Sequence, residues 1–248
     1  MGPKGEDRPK ALIEIGGRPL VWHIMKLHAY YGHTQFVFPL GHRGEDFRRY
    51  FLSYQALAHD LTFTLGEPHQ RVSHGPNDEA AWRLTMFDAG LHTDKGARVR
   101  RAAAQVEGER FLATYGDGIG DVDLAALLRF HRAHGRLATL TAYQPYSQYG
   151  ILELSADVVT GLREKPRLAT WINAGFFCFE RGAVAYMQGR GADDATVDLE
   201  RDTLATLAAD GQLMAYRHTG FWASMDTFKE AEVLNETWEQ SAPWKVWA

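Results

Sequence analysis

Two short segments place aspartates where metal and phosphate chemistry could occur: Tyr115-Gly116-Asp117-Gly118 and, far downstream, Met225-Asp226-Thr227. Phe111-Leu112-Ala113-Thr114 reads as a short buried strand, so Asp117 falls where that strand must end. The C-terminal edge of strands is where open α/β sheets receive ligands. The flanking glycines permit a sharp turn and close approach of a bulky substrate. Two such carboxylates can share Mg²⁺, which takes oxygen ligands and bridges carboxylates to substrate phosphates. A lone Gly-Asp-Gly is also an ordinary turn, and only the surrounding elements separate the two readings.

Those elements alternate between apolar runs and amphipathic periods. Leu20, Ile24, Leu27 and Tyr31 recur at helical spacing after Pro19, a favoured first-turn residue, and predict a helix over 20–31. Strands are expected over 36–38, 61–65, 82–87, 111–114, 137–143, 150–154, 158–162 and 173–179. Further helices are expected over 45–55, 121–134, 196–209 and 228–239, with Asp121 as a capping residue of the second of these. The polar stretch 66–79 reads as a long surface loop. Alternation without a linker predicts one three-layer α/β domain spanning 1–248.

Composition narrows the function classes. The chain has 248 residues, 45% hydrophobic and 23% charged, with a net charge of -4. That is an ordinary globular composition with a slightly acidic balance, and it gives no expectation of nucleic-acid binding. Apolar runs fall well short of the roughly twenty residues a membrane span needs. Cys178 is the only cysteine, so no intrachain disulfide can form, and a cytoplasmic setting is expected. Its neighbours Phe176, Phe177 and Phe179 make a buried small hydrophobe the plain reading. The eleven histidines show no metal-ligand spacing.

Taken in order, several segments resemble the sugar-1-phosphate nucleotidyltransferases, and within that family the glucose-1-phosphate cytidylyltransferase branch. They are Arg8-Pro9-Lys10, the run from Glu14 to Lys26, Tyr115 to Gly118, Glu164-Lys165-Pro166, Ile172 to Phe177, Gly220-Phe221-Trp222 with Met225-Asp226-Thr227, and the tail from Ala242 to Trp247. The resemblance covers nearly the whole chain and implies a Rossmann-like three-layer mixed sheet flanked by helices. It implies attack of a sugar-1-phosphate oxygen on the α-phosphorus of a nucleoside triphosphate, with CTP and glucose 1-phosphate as the expected pair and pyrophosphate as leaving group. Carried over residue by residue, Lys10 contacts the triphosphate and Arg98 reaches phosphate oxygens, while Asp117 and Asp226 hold Mg²⁺. Lys165 binds the sugar phosphate; Glu164, Asn173, Tyr149 and Gly150 contact the sugar. A homo-oligomer is possible. Trp222 and Phe221 are expected to pack and set Asp226 rather than stack on a ligand.

The chain departs from the family at its start. The family opens with a central strand and a loop of the type Gly-Gly-x-Gly-Thr-Arg, and Gly2-Pro3-Lys4-Gly5 does not replace it. The first strand is therefore expected to be missing, with weakened triphosphate binding and turnover, through a misplaced start, a truncation or genuine loss. Two other readings accompany this one: a catalytically impaired paralogue that binds nucleotide sugars or regulates a partner, and a glycosyltransferase using Asp121-Val122-Asp123 as an Asp-x-Asp metal motif.

Overall fold

The computed structural model describes residues 9–58, 60–64, 71–74, 79–189 and 195–247. A single 3₁₀ turn, Lys10–Leu12, leads into the tight hairpin of β1 (Glu14–Ile15) and β2 (Arg18–Pro19), which delivers the chain to α1 (Leu20–Tyr30). Next come β3 (Gln35–Leu40), α2 (Gly44–Leu52), α3 (Tyr54–Ala58), β4 (Asp60–Phe63), β5 (Arg71–His74), β6 (Arg83–Asp88) and α4 (Lys95–Ala103). The middle of the chain holds β7 (Arg110–Thr114), β8 (Gly118–Gly120), α5 (Leu124–His134), β9 (Ala138–Tyr143), β10 (Ile151–Ser155), β11 (Val158–Arg163) and β12 (Ile172–Glu180). A 3₁₀ segment (Arg181–Met187) and a π-helical turn (Leu199–Leu204) precede α6 (Ala205–Ala209), β13 (Leu213–His218), β14 (Trp222–Ser224) and α7 (Phe228–Gln240).

The central sheet runs in the order β13-β9-β12-β7, with β13 parallel to β9 and β12 antiparallel to both its neighbours. A parallel pair, β3 and β6, forms a separate sheet; among the described residues β3 pairs only with β6 and β7 only with β12. Helix α1 joins the two sheets. Val21 and Met25 pack with Leu12, Phe36 and Phe38, while Leu20, Ile24 and Leu27 pack with Ile119, Leu127 and Phe176.

Strand β12 shows why its sequence is almost wholly apolar. Its side chains alternate between faces, and both faces are covered. Phe176 enters the layer built by α1, α5 and α7, whereas Phe177 and Phe179 enter the opposite layer with Leu199, Leu204 and Leu207. Cys178, between them, is fully buried, and burial pushes its thiol up to about 12, which leaves it inert at neutral pH.

Several expectations change in detail. The polar stretch 66–79 lies partly outside the described residues, but it contains β5, which pairs antiparallel with β4. The helix expected over 121–134 starts at Leu124 with Asp123 as its cap, Oδ1 accepting from the Ala126 N–H. Asp121 instead accepts from the Phe221 N–H at 2.7 Å and lies 3.1 Å from His218 Nε2, so it ties the start of α5 to the segment before β14. Burial works against its ionised form, yet the His218 and Phe221 bonds prevail and hold its carboxyl below the usual range. Asp121 and Asp123 are thus occupied in local structure. The helix expected over 196–209 begins as the π-helical turn before becoming α6. Gly2 to Gly5 lie outside the described residues. Among the described residues, no helix is long and apolar enough to cross a membrane.

Candidate active site

The two aspartates meet because two three-residue strands pair. β8 and β14 run antiparallel, with Gly118 opposite Ser224 and Gly120 opposite Trp222. Asp117 stands just before one strand and Asp226 just after the other, and the Met225 N–H donates to the Asp117 carbonyl at 2.7 Å. Met225 is buried beneath them as an apolar anchor. Behind Asp226, α7 begins with a reciprocal cap in which the Thr227 side chain accepts from the Glu230 N–H while the Glu230 carboxylate accepts from the N–H groups of Asp226 and Thr227. Such a cap fixes the entry of the chain into the helix, and here it fixes Asp226 as well. Trp222 supports the ladder from below, its indole N–H donating to the Ala174 carbonyl at 2.8 Å. Phe221 stacks on Trp244. Both rings are packing residues.

Lys10 completes this group. The 3₁₀ turn that carries it is pinned by Leu12, which is buried, and its ammonium donates to Asp226 Oδ1 at 2.8 Å. That bond raises the Lys10 pKa. The Asp117 carboxyl is also raised, first by burial and then by the nearby charge of Asp226, with Lys10 and Lys95 acting against them. Two neighbouring carboxylates with ammonium groups set against their charge form an oxygen donor set for a hard cation. Among the described residues no group of three or more histidine, cysteine or acidic side chains could hold a metal alone. A two-carboxylate site suits Mg²⁺, which keeps water and substrate phosphate oxygens in its remaining positions.

A second group gathers beside the first. Tyr115 ends its strand with its N–H on the Gly175 carbonyl, and its ring lies under Gly175. Gly175 has φ +77°, and a Cβ there would stand 2.5 Å from the Tyr115 ring, so both its conformation and its missing side chain are required. The Tyr115 hydroxyl accepts from Asn173 Nδ2 at 3.2 Å and donates to Glu200 Oε1, which also pairs with the Lys95 ammonium. Asn173 Oδ1 accepts from the Gly175 N–H, so the amide is oriented at both ends. Burial, followed by the Glu200 carboxylate, pushes the Tyr115 hydroxyl far above its ordinary range and keeps it a neutral donor.

The remaining expected residues lie at the base of the β10–β11 hairpin. It leaves the sheet between Tyr143 and Ile172, which are paired, and is closed by the Ser147 N–H on the Pro166 carbonyl and the Leu168 N–H on the Pro145 carbonyl. Glu164 lies against Gly150, where a Cβ would stand 3.0 Å from its Oε2, and Tyr149 is exposed with its N–H on Ser147 Oγ. Lys165 has φ +42°, a left-handed backbone uncommon outside glycine. Because β12 is antiparallel, its N-terminal residues Ile172 and Asn173 lie at the same sheet edge as the C-terminal ends of β7, β9 and β13. Aspartates, lysines and hairpin base therefore share one rim of the sheet.

Arg98 is held by backbone carbonyls. Its guanidinium donates to the carbonyls of Thr93, Pro39 and Gly90 at 2.7, 3.1 and 2.8 Å. Gly41 is needed beside it, since a Cβ there would stand 2.4 Å from Nη2. Arg98 thus ties α4 to the ends of β3 and β6. Sequence reading assigned no role to Lys95 or Glu200; neither lies in a motif, and only folding brings them to Tyr115.

A nucleotidyl transferase family profile matches residues 3–234 of the chain. The glucose-1-phosphate cytidylyltransferase of Salmonella typhi is 39% identical over 243 residues, covering 97% of this chain and 92% of that protein. The probable glucose-1-phosphate cytidylyltransferase of Bacillus subtilis (strain 168) is 35% identical over 248 residues, covering 100% and 95%. Among solved structures, HddC from Yersinia pseudotuberculosis superposes with a TM-score of 0.67 at 14% identity, covering 94% of this chain and 91% of that one. A UDP-glucose pyrophosphorylase complexed with UDP-glucose gives 0.63 at 13% identity, covering 94% and 90%. At such identities the structural likeness speaks to the fold: a mixed sheet flanked by helices, as in those proteins.

Proposed function

Because the chain belongs to the nucleotidyl transferase family, we propose that it is a sugar-1-phosphate nucleotidyltransferase joining CTP and α-glucose 1-phosphate to give CDP-glucose and pyrophosphate. The observation that carries this reading is that the β8–β14 ladder brings Asp117 and Asp226 to its same end, with Lys10 bonded to Asp226. The choice of cytosine and glucose rests on the two cytidylyltransferase relatives at 39% and 35% identity.

The chemistry requires two polyanions to meet, so the protein must offset charge and align the reacting atoms. Asp117 and Asp226 would hold Mg²⁺, which when bound would neutralise charge on the triphosphate at the reacting phosphorus. Lys10, half-exposed and already salt-bridged to Asp226, is free to exchange that carboxylate for triphosphate oxygens and to follow the departing pyrophosphate. Lys165, next to Glu164 at the hairpin base, would orient the attacking phosphate of the sugar. Glu164, Tyr149 and the Gly150 backbone would accept and donate to the sugar hydroxyls, together with Asn173. No residue needs to form a covalent intermediate, because the sugar phosphate is itself the nucleophile.

The reading is tested by pyrophosphate release from purified protein across a matrix of nucleoside triphosphates and sugar 1-phosphates. CTP with α-glucose 1-phosphate should lead. A different leading pair would keep the reaction class and replace the substrates; no release from any pair would remove the proposal.

A further inference from the structure

Lys95, Tyr115, Asn173 and Glu200 come from four separate segments and meet beside Asp117. The ammonium of Lys95 pairs with Glu200 Oε1 and lies 5.0 Å above the Tyr115 ring. The Tyr115 hydroxyl donates to the same Oε1. Both bonds fall on one oxygen, and among the described residues Oε2 of Glu200 accepts none. Glu200 is itself firmly placed. It lies in the first turn of the π-helical segment, its N–H donates to the capping side chain of Asp198 at 3.0 Å, and the Arg201 N–H does the same at 2.7 Å. Its side chain is about one-third exposed, at 34%, so the carboxylate reaches the solvent side of the site.

A carboxylate held in this way is an acceptor without an assigned donor. It cannot receive a phosphate, which it would repel. Lys95 offsets part of that charge. A neutral hydroxyl is the ligand chemistry that fits. Asn173, bonded to the other side of the same tyrosine hydroxyl, presents its remaining amide hydrogen and lone pair close by.

We propose that Glu200 is a specificity-determining residue whose Oε2 accepts a hydroxyl of the sugar, and that Tyr115 and Lys95 are positioning residues that hold its carboxylate and the Asn173 amide in register. This rests on the reading of the site as one for a sugar 1-phosphate. A site built to hydrogen-bond a substrate hydroxyl discriminates strongly against the analogue that lacks it, because the buried partner is left unpaired.

The test uses the full chain as wild type, Glu200→Gln, Tyr115→Phe and Lys95→Met, with melting temperatures recorded for each. Glu200→Gln keeps the shape and the Tyr115 bond but turns the second acceptor into a donor. It should raise KM for the sugar 1-phosphate about tenfold or more while KM for the nucleotide stays within about twofold. Tyr115→Phe and Lys95→Met should move the same constant in the same direction. A series of monodeoxy sugar 1-phosphates gives the decisive comparison. One of them should be penalised by the wild type and accepted by Glu200→Gln as well as the parent sugar is. Unchanged discrimination across the series, a lowered melting temperature with both KM values intact, or a shift confined to the nucleotide KM would each overturn the role of Glu200. Calorimetric binding of the same sugar phosphates separates this from the enzymatic reading. Absence of turnover in the wild type sinks that reading, whereas equal sugar-phosphate affinity in wild type and Glu200→Gln sinks this one.

Discussion

Asp117 illustrates how one side chain ties fold to chemistry. Its carboxyl is raised by burial and by Asp226, so the ionised form is less favourable in the folded protein than in the unfolded chain. The sign for stability follows: an acid with a raised folded pKa makes the folded state less stable as pH climbs through that pKa. Asp117→Asn removes that penalty and, on the proposed reading, a carboxylate oxygen that would hold Mg²⁺. The variant should therefore lose transfer by about 10²-fold or more yet melt at or above the wild-type temperature at neutral pH, which calorimetry and pyrophosphate release would show together. A large drop in melting temperature would mean that Asp117 serves the fold instead. Lys165→Ala carries a complementary expectation: KM for the sugar 1-phosphate should rise well beyond any change in that for the nucleotide, since on the proposed reading a charge-assisted phosphate contact would be lost. Equal changes in both constants would put Lys165 elsewhere. At this scale the sequence was informative wherever a residue sat in a recognisable motif, as Asp117, Asp226, Lys10 and Asn173 do. Lys95 and Glu200 escaped because neither has a local pattern, and the carbonyls that fold around Arg98 were not legible because a motif shows residue type but not tertiary neighbours.

At the scale of elements, long amphipathic or wholly apolar segments were legible. The helix over Leu20–Tyr30 and the strand over Ile172–Glu180 lie within a residue or so of expectation, because periodicity and burial decide them. The elements that build the site were less visible. β8 and β14 have three residues each, and Gly118-Ile119-Gly120 offers no alternation to read. Their pairing is a long-range event fixed by tertiary packing. The 3₁₀ turn at Lys10–Leu12 is equally short. Helix α4 was missed because its basic face, Arg98, Arg100 and Arg101, gives little apolar period. One glycine connects the strand level to the site. Gly175→Ala would place a side chain at φ +77° and into the Tyr115 ring. We expect a loss of about 1–3 kcal/mol from the backbone conformation alone, with further cost from the displaced ring and a rise in KM for the sugar 1-phosphate. Urea melts and kinetics on that single variant check both; a stable variant with unchanged KM would remove Tyr115 from the site's architecture.

At the scale of the whole molecule, the first helix and the C-terminal tail clasp each other around His23. Its Nε2 donates to the Ile15 carbonyl at 2.8 Å and its Nδ1 accepts from the Trp244 indole at 3.3 Å, an arrangement that requires the neutral ring. Burial lowers its pKa from 6.5 to about 4, and the same cause brings His28 to about 4. In the window between those values the unfolded chain binds protons that the folded protein excludes. Stability is therefore fully present above about pH 6.5 and falls as the pH drops toward 4, by up to about 3 kcal/mol for each histidine. Urea midpoints at pH 7 and pH 5 would show it, and a flat profile would contradict the buried neutral rings. Folding thus has to bring four distant regions together before the rim is complete: the Lys10 turn, the Asp117 strand end, the Glu200 turn and the Asp226 cap. The claim that this rim is a nucleotidyl-transfer site is tested most directly by initial rates of pyrophosphate release from CTP and α-glucose 1-phosphate, in Mg²⁺ and in EDTA, for wild type and Asp117→Asn. The account predicts release by the wild type in Mg²⁺ that EDTA abolishes and Asp117→Asn lacks. Release that survives EDTA, or proceeds undiminished in Asp117→Asn, would contradict it.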